Sequence, residues 1–310
     1  MLNSNSFLEQ VLARSRGREP AESSVRRFPS WHYAMLNDAS RSRAIEDAIR
    51  KLQPEGKTIF EIGAGTGLIA MLFAKHGAQH VYTCEADHQM FMVADRIIGQ
   101  SGYKDQITLW NVPSSTAVEF LPTDRAPDII FTETIDCGVI GEGFFSVSED
   151  IVSIADSGTI ILPQKIQQFG LLVESESIIN LNRVREVCGF DLSILNEYST
   201  RSYFPVHSRL HDFRLLSEPV LLRTYDYRAD NEPQPAAIRC NRPGTAHGVL
   251  TWFSLHFGSE VVTNLIESGS HWHQAFHPLA EAIPVSTHQA AHLTLNNSGQ
   301  VTMTLEDDHA

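Results

Sequence analysis

The sequence predicts an α/β protein whose doubly wound parallel sheet is followed by an antiparallel β region, a sandwich or barrel. Three observations carry this. Short apolar runs alternate with helical stretches from Lys57 to Pro163, the order of βα units that builds a parallel sheet. A glycine-rich turn, Gly63-Ala64-Gly65-Thr66-Gly67, links the first run to the first helix of that series. Beyond Pro163 apolar and polar residues alternate between turn-rich segments, which is the period of antiparallel strands.

Residues 1–30 are polar and arginine-rich and read as a flexible lead-in. From Trp31 to Lys51, Met35, Ala39, Ala44, Ile45, Ala48 and Ile49 recur at roughly helical spacing. KTIFEI is a strand entering the glycine turn, LIAMLFAKHGA a helix ending near Gly77, and HVYTCEAD a second strand. A helix over 88–101, the strand ITLWNV, the strand PDIIFTE, and a helix and strand within SEDIVSIADSGTIILP complete a first domain over 31–163. QQFGLLVESE, EPVLLRTYDY, HGVLTWFSLHF, AAHLTLNN and QVTMTLED are the strands of a second domain over 164–310. An insertion at about 184–215 carries Phe190, Leu192, Ile194 and Leu195. If exposed, these are costly unless a second chain covers them, and a two-fold homodimer is the simplest cover.

Composition narrows the function classes. The 24 basic and 37 acidic residues leave a net charge of −13, which argues against phosphate-backbone binding and suits a cationic ligand. Four scattered cysteines form neither metal-type pairs nor a disulfide framework, so a reducing compartment is expected. Without an apolar run of membrane-spanning length, the expectation is a cytoplasmic protein that binds neither membrane nor nucleic acid. His271, His273 and His277 raise a His-x-His possibility, but no carboxylate or cysteine accompanies them at ligand spacing, so no metal is expected.

The glycine turn lets a ligand approach the backbone at a helix N-terminus. Glu85, ending the next strand, can accept both hydroxyls of a ribose. Dinucleotide enzymes use the same two devices. Here the glycines read GxGxG, and the position where the dinucleotide fingerprint needs glycine is Leu68. A nucleoside without pyrophosphate fits better, and S-adenosylmethionine is the expected cofactor, with Arg41 placed to neutralise its carboxylate.

A second pair of acids follows. Glu133 ends the fourth strand, and the loop TIDCGVIGEGFF, with Gly138, Gly141 and Gly143, brings Glu142 after it. Facing carboxylates beyond a parallel sheet suit a planar cation with forked N–H donors. By themselves, two such glutamates are more commonly solvated loop residues.

The string DIIFTE…IGEG resembles the double-glutamate loop of protein arginine methyltransferases, and TETIDCGVIGEG is most similar to their type III, monomethylating branch. Other segments share the resemblance in order: His32-x-x-Met35-Leu36-x-Asp38-x-x-Arg41, IFEIGAGTGL, VYTCEAD, GTIILPQKIQQFGLLVES, CGFDLSIL, and Ser270-His271-Trp272. The family implies a Rossmann-like methyltransferase sheet followed by a β-barrel with a dimerisation arm. It implies that Glu133 and Glu142 grip a guanidinium, that Asp38 and His271 pair, and that Trp272 and Gln274 line the acceptor site. Met35, Arg41, Gly63, Ala64, Gly65, Glu85, Ala86 and Ser115 would border the cofactor. The family's usual carboxylate near the adenine is missing from NVPSSTAV, where Ser114, Ser115 and Thr116 stand. The activity implied is N-methylation of an arginine, in a protein, a peptide or as the free amino acid, with either glutamate as the base. Methylation of another small N- or O-nucleophile and a non-catalytic cofactor scaffold are the alternatives.

Overall fold

The structure is a computed structural model and describes residues 28–306 apart from residue 124. Most of the lead-in expected over 1–30 therefore lies outside the described residues. The chain divides after Asn37 into two compact units. The first contains helix α1 (Ser30–Asn37), which carries Met35. The helical pattern read from Trp31 to Lys51 is broken at Asp38, whose side chain caps helix α2 (Ala39–Leu52) by accepting the Arg41 N–H. A short acidic side chain favours this position because it satisfies an N–H that the first turn leaves unpaired.

The second unit opens on the expected alternation. Strands β1 (Thr58–Ile62), β2 (His80–Cys84), β3 (Ile107–Trp110), β4 (Ile129–Thr132) and β5 (Ile160–Leu162) form one sheet in the order β3-β2-β1-β4-β5. Every pairing in it is parallel. Helices α3 (Leu68–Lys75), α4 (His88–Gln100), α5 (Ser114–Ala117) and α6 (Phe144–Ile154) connect the strands. Ile59, Phe60, Ile129, Ile130 and Phe131 are buried, as continuous apolar runs must be where helices cover both faces. Strand order reverses between β1 and β4, and a crevice at such a reversal is where open α/β sheets bind ligands.

After β5 the chain turns antiparallel. Strands β6 (Lys165–Glu174), β7 (Glu186–Val187), β8 (Phe190–Asp191), β9 (Phe204–Val206), β10 (Arg214–Leu215), β11 (Val220–Tyr225), β12 (Ala236–Arg239), β13 (Gly244–Phe257), β14 (Glu260–Thr263), β15 (Gln274–Val285), β16 (Ala290–Leu295) and β17 (Val301–Leu305) follow. They form a seven-stranded sheet around β6, β13 and β15, a three-stranded sheet β12-β16-β17, and the β7–β8 hairpin. Among the described residues the pairings give these sheets without a closing ring. Leu172, Leu222, Val249 and Leu279 meet Ile238, Leu293, Leu295 and Val301 in one buried cluster.

Two differences from the sequence reading have physical causes. Pro163 marks the change of texture but not a break in the core, because Ile166, Tyr225, Phe253 and Phe257 share a cluster with Phe60 and Ile129. The insertion expected over about 184–215 is also shorter in practice. Phe204–Val206 pairs with β15 and Arg214–Leu215 with β6, leaving the β7–β8 hairpin and a 3-10 turn over Ser193–Tyr198 outside the sheet. Among the described residues no helix is long and apolar enough to cross a membrane, and no group of three metal-ligating side chains occurs.

Candidate active site

The first half of the site is the turn after β1. Gly63, Gly65 and Gly67 all have positive φ, a backbone that side chains disfavour. The N–H groups of Gly63 and Ala64 donate to the Cys84 carbonyl at 3.1 and 2.8 Å, locking the turn to the end of β2. Just beyond, Glu85 accepts the Gly65 N–H at 2.9 Å and the Asp87 N–H at 2.9 Å. Burial pushes its carboxyl up, and those N–H donors pull against the rise. A Cβ built on Gly65 meets nothing within 4 Å, so the turn faces open space beside this carboxylate. Ala86 is exposed next to it, its carbonyl 3.4 Å from the Asn111 amide.

The third strand leads to α5. Ser115 is exposed there, while the Ser114 hydroxyl donates to Asp150 at 2.6 Å. Asp150 is a carboxylate that sequence reasoning missed. It lies in α6, 36 residues away in the chain, and no local pattern connects it with Ser114.

The second half is the loop from Glu133 to Gly143. Glu133 is buried and holds Arg41 through two bonds, Nε to Oε1 at 2.8 Å and Nη2 to Oε2. Two side chains read from sequence as a cofactor ligand and an acceptor ligand thus meet each other. Burial lowers the Arg41 guanidinium to about 10, opposed by the nearby Asp38 charge, so it stays cationic at neutral pH. Its carbon lies 5.9 Å from the centre of the Trp272 ring, within range of a cation–π contact.

Glu142 is placed differently. Among the described residues it has no hydrogen-bond or ion-pair partner. Water reaches it, yet protein crowds it: burial, then the Asp136 charge, then that of Glu85, push its carboxyl up to about 7. The two glutamates therefore have opposite environments, one neutralised by an internal guanidinium and the other raised by neighbouring anions.

Two further contacts hold this arrangement. Asp38 accepts the His271 N–H at 3.2 Å and faces His271 Nδ1 at 3.1 Å, joining α2 to the loop before β15. Burial opposes the Asp38 anion, but the Arg41 N–H and the His271 donors outweigh it and keep the carboxyl below its usual range. Burial also lowers His271. The Trp272 indole donates to the Ile135 carbonyl at 3.1 Å, fastening the same loop to the glutamate loop.

Two expected residues remain, Gln274 and Met35. The Gln274 amide is spent inside the β region, donating to the Asn264 carbonyl at 2.6 Å and accepting the Ser208 hydroxyl at 2.6 Å. Met35 belongs to the first unit, described by itself.

A parallel α/β framework with a glycine turn, an acid after the second strand and an anionic loop after the fourth places these groups where open α/β sheets bind their ligands. Residues 171–306 match the family described as the arginine methyltransferase oligomerization subdomain. The chain is 34% identical over 281 residues to an arginine N(omega)-methyltransferase of Streptomyces achromogenes subsp. streptozoticus, covering 89% of this chain and 78% of that one. It is 24% identical to protein arginine N-methyltransferase 9 of Mus musculus and 26% identical to protein arginine N-methyltransferase 7 of Aedes aegypti, spanning 34% and 35% of their lengths. Among solved structures, the Trypanosoma brucei PRMT1 enzyme–prozyme heterotetrameric complex with AdoHcy superposes with a TM-score of 0.73 at 19% identity, covering 91% of this chain and 96% of that one. Protein arginine methyltransferase 10 of Arabidopsis thaliana gives 0.66 at 18% identity, covering 87% and 88%. The chain belongs to the arginine N-methyltransferase family.

Proposed function

We propose that this chain, an S-adenosylmethionine-dependent arginine N-methyltransferase, uses Glu142 and Glu133 in unequal roles to methylate a guanidino nitrogen, and that free L-arginine is its first acceptor. The carrying observation is the asymmetry of the two glutamates: Glu133 already holds one guanidinium, and Glu142 is without a partner and titrates near neutrality. The 34% identical relative is named for arginine without mention of protein, which favours the free amino acid. Peptide arginine is the second reading, favoured by the relatives named for protein arginine.

The residues present fit the cofactor. The open side of Gly65 and the half-buried Glu85 would take the nucleoside, and Arg41, bonded to Glu133 through Nε and Nη2, keeps Nη1 for a carboxylate. The bound cofactor supplies an already activated methyl, so the protein has mainly to position a nitrogen, a task worth ~7–11 kcal/mol when the geometry is right. Glu133 and Glu142 fix the guanidinium plane and favour charge on the nitrogens that do not react. Glu142 takes up the released proton, and Arg41 holds Glu133 in place through Nε and Nη2. His271 and Asp38 hold the N-terminus of α2, and with it Arg41, in register.

The similarity of TETIDCGVIGEG to the monomethylating branch supports transfer of one methyl. Incubation with cofactor and either free arginine or arginine-rich peptides, followed by mass analysis, should show a gain of 14 mass units on free arginine. No gain on any guanidino compound, with cofactor binding intact, would remove the arginine reading.

We also propose a homodimer. Phe190 (71% exposed), Ile194 (72%) and Tyr198 (83%) lie on the hairpin and the 3-10 turn outside the sheet. That segment falls within the oligomerization match.

A further inference from the structure

Inside the Glu133–Gly143 loop lies a third carboxylate that the reaction itself does not require. One oxygen of Asp136 accepts the N–H groups of Gly138 at 3.1 Å and Gly141 at 3.0 Å. The other accepts the Tyr203 hydroxyl at 2.9 Å. Tyr203 comes from the chain just before β9, 67 residues away, so the contact joins the acceptor loop to the antiparallel region. The fit is close. A Cβ on Gly138 would lie 2.2 Å from the Tyr203 ring, and one on Gly141 would lie 2.3 Å from Asp136 Oδ2. Neither glycine has positive φ; what they supply is room for the phenol and the carboxylate.

The clamp has a floor. The Tyr203 ring is 5.2 Å from that of His277. His277 Nδ1 bonds the Gly299 carbonyl at 2.8 Å, and a Cβ on Gly299 would lie 2.6 Å from the Tyr203 ring. Within the loop, Val139 has φ of 77°, a conformation that a β-branched residue adopts only where its surroundings impose it. The bonds to Asp136 on either side of Val139 impose it here.

We propose that Asp136 and Tyr203 are a positioning pair that shapes this loop and presents Glu142 as the proton acceptor of methyl transfer. The inference rests on the arginine reading above. Glu142 accepts the N–H proton released as the new N–C bond forms and the C–S bond breaks towards sulfur, leaving a carboxylic acid on the enzyme and a neutral thioether. A base of this kind works best when its carboxyl titrates near the working pH. The charged and titratable groups around Glu142 are Asp136 on its own loop, Glu85 from the end of β2 and the neighbouring Cys137 thiol. Tyr203 and Tyr225 sense the Asp136 charge from the antiparallel side. Asp136 is the nearest of these in effect after burial itself. Its three hydrogen-bond donors are all uncharged.

The test compares the wild-type protein with Asp136→Asn and Tyr203→Phe. Asparagine keeps an oxygen for the two glycine N–H groups, removes the charge, and turns an amide donor in place of an acceptor towards the Tyr203 hydroxyl, a change of hydrogen bond that Tyr203→Phe controls for. Carboxyl-labelled glutamate, with the Glu142 signal assigned through Glu142→Gln, is titrated by NMR without substrate. The Glu142 midpoint should fall by roughly one pH unit in Asp136→Asn, and the acid limb of kcat/KM should move with it. A midpoint and limb that both stay put would overturn the proposal. Tyr203→Phe leaves the charge in place, so the midpoint should hold while KM for the acceptor rises severalfold and kcat falls less. If Asp136→Asn does not fold, an unchanged acceptor KM in Tyr203→Phe would overturn it instead. Absence of turnover on every arginine acceptor would count against the arginine reading, and the NMR titration would still decide the clamp.

Discussion

Glu133 and Glu142 are the same residue type on one loop, and their surroundings make them different acids. Glu133→Gln and Glu142→Gln should each cut turnover by orders of magnitude, and Glu142→Gln should leave cofactor affinity, measured by calorimetry, within about twofold. Stability separates them. Glu133→Gln strips a buried cation of its anion, for a loss of about 3 kcal/mol in urea unfolding. Glu142→Gln relieves a crowded anion and should leave the protein at least as stable above neutrality. The pH dependence follows with a definite sign. Below about 7 Glu142 carries its proton and is a poor base and a poor cation ligand. Activity on arginine should therefore rise through pH 7 with a slope near one on the acid side. Binding of the guanidinium, which favours the carboxylate, should release a proton when followed at pH 6 to 7. An activity profile flat across this range would remove Glu142 from the proton-transfer role.

At the scale of elements, β6, β11, β13 and β15 share a buried polar chain. The Tyr225 hydroxyl donates to Gln168 at 2.8 Å, Gln168 to Thr251 at 3.3 Å, and Thr251 faces His277 Nε2 at 3.0 Å. Because a carbonyl can only accept, His277 Nδ1 carries the proton it gives to Gly299, and Nε2 accepts. Burial lowers this ring to about 4, partly offset by the Gly299 bond. The unfolded chain takes up that proton near 6.5, so between 6.5 and 4 it binds more protons than the folded state. Stability should fall by about 2 kcal/mol between pH 7 and pH 5 from this group. Urea melts at the two pH values, with His277→Asn losing that increment, check the sign and size.

At the scale of the whole molecule, the question is what covers the apolar residues outside the sheet. Exposed aromatic and aliphatic side chains concentrated on one short projection are costly in water. A two-fold interface would bury each copy's patch against the other. Sedimentation of the full chain at micromolar concentration should give a dimer, and Phe190→Asp together with Ile194→Asp should give a monomer without loss of fold by circular dichroism. A wild-type monomer would remove the homodimer.

The sequence determined the parallel sheet, because alternating apolar runs and helices leave few other ways to bury both faces, and the glycine turn with Glu85 because those residues are neighbours along one βα unit. It also brought Glu133, Glu142, Asp38 and His271 into view through a resemblance whose motifs keep their order. What it left open was long-range: Arg41 on Glu133, Asp150 beside Ser114, Tyr203 on Asp136, and the strands formed from Phe204–Val206 and Arg214–Leu215. Each joins residues tens of positions apart, and no periodicity records such a meeting. Local pattern fixes which face of an element is buried; only the packed chain fixes which charge stands next to which, and so which of two identical glutamates meets a guanidinium and which is pushed up by neighbouring anions.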